Sequence, residues 1–172
     1  MKIFTGPLEK LRKVSDKYVM NIDANPAEIK SQQPYHTSIR KPKPIKDSID
    51  KLQDLGIIQE SKSEIASPIV VVQKGKPHFC IDIQEVNAKT KADHYTLPRQ
   101  DSIFRALAGE IFLSTFNCNK SYHQIPLTLR SRKLTIFITK DDFFEFLRAL
   151  FDLKNAPAHF QRIINAILEA YL

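Results

Sequence analysis

Apolar positions along the chain come in two patterns, some spaced to line one face of a helix and others clustered as β-branched strand runs. Leu8, Leu11, Val14 and Tyr18 predict a short basic helix over Leu8 to Val19, which Asn25-Pro26 must end. The run QQPYHTSIRKPKP, Gln32 to Pro44, holds three prolines. Proline lacks a backbone donor and biases its predecessor away from helix, so this run is expected to be extended. It reads as a surface linker, although an arm carrying Arg40, Lys41 and Lys43 would also suit a phosphate backbone.

The pattern then sharpens. Pro44 can open a helix whose face is Ile45, Ile49, Leu52 and Leu55, and Gly56 stands where a left-handed cap belongs. ASPIVVV (Ala66 to Val72) and FCIDI (Phe79 to Ile83) read as two strands joined through Lys74-Gly75-Lys76-Pro77, a hairpin. Pro98 to Leu107 predicts a helix closed by Gly109. Four further strands are expected at Ile111 to Phe116, Gln124 to Leu129, Leu134 to Ile138 and Phe143 to Leu147, with Asp141-Asp142 turning between the last two. Asn155 can cap a final helix that tolerates Pro157 in its first turn and buries Phe160, Ile163, Ile164, Ile167, Leu168 and Tyr171. This order is α+β, mostly antiparallel sheet with packed helices. The final stripe is still running at Leu172, so the sequence is expected to be the front of a larger unit.

Composition narrows the class. With 42% hydrophobic and 26% charged residues in 172, the chain has the make-up of a globular domain rather than a disordered or fibrous one. A formal net charge of +7 favours polyanionic partners. The two cysteines, Cys80 and Cys118, lie in apolar runs without metal-ligand spacing, which suggests buried hydrophobes in a reducing compartment. His36, His94, His123 and His159 show no ligand spacing either. No run approaches the ~20 apolar residues of a membrane span, and the amino terminus has no secretory h-region. A soluble, intracellular protein without membrane partners is the expectation.

Four segments in fixed order carry a family likeness. They are LGIIQESKSEIASPIVVV (Leu55 to Val72), FCIDIQEVNAKTKADHYTLPRQDSI (Phe79 to Ile103), LSTFNCNKSYHQI (Leu113 to Ile125) and FEFLRALFDLKNAPAHFQRIINAIL (Phe144 to Leu168). Together they resemble the reverse transcriptases of Ty3/gypsy-type retroelements across residues 33–172, leaving residues 1–32 as a poorly defined leading segment. The resemblance implies the fingers and first half of the palm of a right-hand polymerase, a partial fold truncated before the family's Y-x-D-D hairpin. It implies an RNA-directed DNA polymerase from a pol polyprotein, with an RNA/DNA template-primer and the remainder of the polymerase as partners. The family's chemistry is two-metal phosphoryl transfer, in which Mg2+ is held by carboxylates.

Residue by residue, this copy departs from that pattern. Asn117 stands where the family has its first metal-binding aspartate, and an amide brings no negative charge. The two aspartates of Y-x-D-D have no counterpart in the sequence. No metal site and no cofactor are therefore expected for this chain, although the intact family uses Mg2+. Tyr122 matches the aromatic residue beneath the incoming sugar, or is a packed tyrosine. Ser121 replaces a small glycine. Phe151 and Asp152 take the place of a Phe-Gly pair, and Asp152 adds bulk and repels phosphate where glycine allows close approach. Gln161 could touch template or cap a polar edge. Lys74 or Lys76 is the candidate for the basic grip of the fingers, depending on the register, while His78 and Gln84 stand where arginines are usual and lack a guanidinium fork. Both also read as plain surface residues of a hairpin. Three functions follow: a degenerate, inactive reverse-transcriptase piece, a domesticated module binding nucleic acid or protein without catalysis, or one segment of an active polymerase. With half a palm missing, the sheet should keep an open edge, and aggregation, a partner or marginal folding is expected.

Overall fold

Helix α1, Lys43–Asp54, turns Ile45 and Ile49 inward at helical spacing, both under a tenth exposed. Its end follows from one glycine. Gly56 adopts φ +61°, its N–H donates to Gln53 O (2.8 Å), and Ile57 N–H donates to Leu52 O (2.9 Å). These are the two bonds of a Schellman cap, and they swing the chain into β1, Ile58–Glu60. The structure is a computed structural model and describes residues 16–32, 35, 43–62, 66–72, 78–139 and 142–169. The expected helix over Leu8 to Val19 lies almost wholly outside them, apart from a 3-10 turn at Asp16–Tyr18.

One five-stranded sheet has the order β1-β5-β4-β2-β3. The expected hairpin is present: β2, Ser67–Val72, runs antiparallel to β3, His78–Ile81, with Ile69 opposite Ile81. Strand β4, Phe137–Ile138, joins β2 in parallel and β5, Phe143–Phe146, antiparallel, and β5 then pairs antiparallel with β1. Three of the four pairings are antiparallel, as the mostly antiparallel expectation required. Phe137 is fully buried at the centre, its ring 5.6 Å from Phe144 and 5.5 Å from Phe146. Met20, Ile22, Ala24 and Ile29 pack into the same core, and Ile22 N–H donates to the buried Ser131 hydroxyl at 2.7 Å.

Four expectations need correction. Ile111 to Phe116 forms no strand; it is exposed chain with a bend at Ile111. Gln124 to Leu129 is no strand either. Tyr122–Gln124 forms a 3-10 turn, Pro126 and Leu127 make single bridges to Arg148 and Met20, and Thr128 caps helix α4, Leu129–Arg132. Pro126 has no N–H to extend a ladder, and the Thr128 side chain accepts from Ser131 N–H, which favours helix. Helix α2, Gln84–Lys89, lies where no helix was expected; the Asp82 carboxylate accepts from Gln84 N–H (3.1 Å) and starts it. Helix α3, Gln100–Leu107, agrees with expectation but buries none of its residues. Helix α5, Ala156–Leu168, buries Ile163 and Ile167, with Phe160 against the core. Asn155 makes no side-chain cap there, because its amide is engaged elsewhere.

Candidate functional site

The segment after β5 doubles back over the sheet before α5, and this brings several of the singled-out residues together. Arg148 fixes the turn: its guanidinium donates to Gly56 O and to His123 O, each at 3.2 Å. Phe151 then packs edge-on against Tyr122 at 5.3 Å and against His123 at 5.0 Å. Tyr122 also meets Phe160 of α5 at 5.9 Å. Tyr122 and Phe151 thus form one aromatic group, with Tyr122 half-buried and Phe151 half-exposed.

His123 lies beneath them, buried. Its Nδ1 is 3.0 Å from Ala149 O and its ring stacks on Phe146. Burial pushes its pKa below the ordinary 6.5, against the raising effect of the Ala149 carbonyl, and the charges of Lys120 and Arg148 add to the fall. Lys120 has the positive φ of 46° at the loop crest. Burial, then the nearby Lys51 charge, lower its pKa. Lys51, Lys120, His123, Phe151 and Asp152 share a cavity of about 510 Å³ between α1, β3 and this loop.

Asp152 also borders a second cavity of about 320 Å³ with Asp82, Gln84 and Asn87. Gln84 and Asp152, remote in sequence, therefore face one space. Asn87 ties the pieces: its side-chain amide donates to Asp152 O (2.7 Å), and its Oδ1 accepts from Lys154 N–H (2.9 Å). Beyond it, Asn155 accepts from Asp93 N–H (3.0 Å) and donates to Lys91 O (2.7 Å). Arg162 grips Asp93 through one nitrogen at 2.9 and 3.0 Å and lies 4.7 Å over the Tyr95 ring. Burial opposes the Asp93 carboxylate, but the Arg162 guanidinium and the Tyr95 N–H hold its pKa below the ordinary value. Asn87, Lys51, Lys120 and Arg148 were not singled out from sequence, although Asn87, Lys120 and Arg148 each stood within a quoted segment.

Other candidates fall apart from this group. Gln161 donates to Asn165 (2.9 Å), which donates to Tyr95, so it is spent within α5. Lys74 and Lys76 lie outside the described residues. His78 has a place at the start of β3 opposite Val72, with nothing described of its side chain. Asn117 is exposed, in the run that pairs with no described strand, and borders neither cavity. Two divalent ions require several hard carboxylate oxygens. Among the described residues no three His, Cys, Asp or Glu side chains come together as a metal site. Among the described residues, the side chains do not assemble the carboxylates that the Mg2+ pair implied by the resemblance would need.

Known proteins share both the sequence and the fold. No protein-family model matches the chain. It is 35% identical over 135 residues to the retrovirus-related Pol polyprotein from transposon 297 of Drosophila melanogaster, which covers 74% of this chain and 13% of that protein. It is 28% identical to the enzymatic polyprotein of figwort mosaic virus, over 96% of this chain and 28% of that one. The foamy viral protease-reverse transcriptase, solved in complex with RNA/DNA hybrid, superposes with a TM-score of 0.70 at 20% identity, over 88% of this chain and 21% of that chain. The chain thus spans well under a third of each relative's length. Its homologues are Pol polyproteins of retroelements and viruses, and it shares the α+β fold of a polymerase segment. No described helix is long and apolar enough to cross a membrane.

Proposed function

Taking homology to Pol polyproteins as the premise, we propose that this chain is the fingers and first half of the palm of a Ty3/gypsy-type reverse transcriptase, a degenerate copy that does not polymerise. The observation that carries the loss of activity is Asn117. In LSTFNCNKSYHQI it occupies the place of the aspartate that would hold metal, and a neutral amide removes a charge that a pair of divalent ions depends on. Asp152 adds to this: a carboxylate between two cavities repels the phosphates of an incoming strand or nucleotide. The aromatic group of Tyr122 and Phe151 supports retention of the sugar-facing surface, since the packing it requires is intact.

The ligand class proposed is RNA/DNA hybrid, bound weakly through the chain's net positive charge and not extended. Primer extension on an RNA template tests the catalytic part. The expected result is no incorporation by the chain with Mg2+ or Mn2+. Templated incorporation by the unaltered chain, abolished by Asn117→Ala, would overturn the reading.

A further inference from the structure

Among the described residues, Lys120 alone outside glycine has a positive φ, 46°. A glycine holds that conformation without cost and a larger residue does not, so the backbone gives no reason for lysine at this turn. Strain of this kind persists where the surroundings or a function demand it. The Lys120 side chain is partly buried, and among the described residues its ammonium makes no hydrogen bond or ion pair. It lines the cavity of about 510 Å³ between α1, β3 and the loop, whose walls include Leu52, Ile81, Phe146, Leu150 and Phe151. Burial, and then the charge of Lys51 on the same wall, disfavour the ammonium, so more of this amine is neutral than at an exposed lysine. His123 in that wall is itself held neutral by burial, and Asp152 is exposed at the rim without a bond to Lys120.

We propose that Lys120 is an imine-forming site, and that the ligand it takes is an aromatic aldehyde carrying an anionic group. A primary amine in an apolar enclosure beside a second cation is the setting in which lysine attacks carbonyls. The Nζ lone pair adds to the carbonyl carbon, the C=N bond forms, and the carbonyl oxygen leaves as water with both hydrogens of the amine. No oxidant or reductant is consumed. The cavity lies within the roughly 300–1,000 Å³ of small-molecule sites, and its apolar wall seats the ring. Both lysines draw the anionic group, which stays with Lys51 once the imine has formed and Lys120 has lost its charge. Asn117 does not border this cavity, so the site is separate from the lost metal position. This inference does not rest on the polymerase reading.

The test treats the full 172-residue chain with limiting para-formylbenzoate at neutral pH, traps imines with cyanoborohydride and maps the added mass by peptide mass spectrometry. Lys120 should be labelled at least about tenfold more than Lys46, an exposed lysine of α1, because taking a ring out of water contributes a factor of that order. Propanal, which has no ring, should lose that preference. Lys51→Met, at an exposed residue, should lower labelling of Lys120, since removing the neighbouring cation restores its ammonium. The same variant should abolish the advantage of para-formylbenzoate over benzaldehyde. Lys120→Arg keeps the charge but forms no imine, so that peptide should carry no label while Lys46 keeps its background. Equal labelling of Lys120 and Lys46 by para-formylbenzoate would overturn the proposal, as would the same Lys120-to-Lys46 ratio from propanal. A preference for the carboxylate-bearing aldehyde that survives Lys51→Met would equally overturn it.

Discussion

His123 shows how a single side chain is committed by its surroundings. Buried against Phe146 and Phe151, with Nδ1 at the Ala149 carbonyl, it is held neutral: burial lowers its pKa from 6.5 more than the carbonyl raises it. His159, also lowered by burial, has the same sign. The unfolded chain takes up protons at both histidines near pH 6.5, whereas the folded chain takes them up only at lower pH. Unfolding then binds protons, so stability rises with pH through that window and is lost as pH falls below it. Thermal melts from about pH 8 to about pH 5 should show the decline. His123→Phe should make it shallower; an unchanged slope would sink the assignment to His123. Asn117 is the opposite case, a residue whose meaning lies in the motif around it and not in any contact.

At the scale of elements, local chemistry explains most starts and stops. Gly56 ends α1 through a left-handed cap, Asp82 starts α2, and Thr128 starts α4. Helix α5 differs, because Asn155 looks outward to the 91–93 segment and not to its own helix. With Arg162 on Asp93 it clamps that segment to α5. Asn155→Ala removes both bonds and leaves the Asp93 N–H and the Lys91 carbonyl without this partner. The expected cost is about 1–3 kcal/mol in urea unfolding. A neutral result would mean that water replaces the amide without loss. The clamp could not be read from sequence, since nothing in Lys91 or Asp93 announces a partner more than sixty residues away.

At the scale of the whole molecule, charge and exposed surface decide behaviour. Under the function proposed above, a chain of +7 is expected to bind RNA/DNA hybrid weakly, with affinity falling steeply as salt rises. Fluorescence anisotropy at about 50 mM and about 200 mM salt measures this. If no binding is detected at the lower salt, the retained-binding part of the proposal fails while the loss of catalysis stands. The exposed stretch from α3 to Asn117 is the other whole-molecule feature. The sequence expected a strand there, and the structure forms none. Hydrophobic runs name strands only when a partner strand exists to pair with them.

Periodicity and motif spacing were enough to establish the α+β class, the β2–β3 hairpin, α1 with its glycine cap, α3 and α5. These depend on residues close together in the chain, where local propensity and the period of burial speak directly. The four ordered segments likewise pointed to Pol-related proteins before any contact was known. Only the tertiary structure decided that β4 joins β2 in parallel, that Gln84 and Asp152 face one cavity, that Asn87 and Arg148 tie distant loops, and that Ile111 to Phe116 forms no strand. Each depends on which remote segment supplies the other half of a hydrogen bond or buried face, and a linear pattern of apolar residues does not encode that choice.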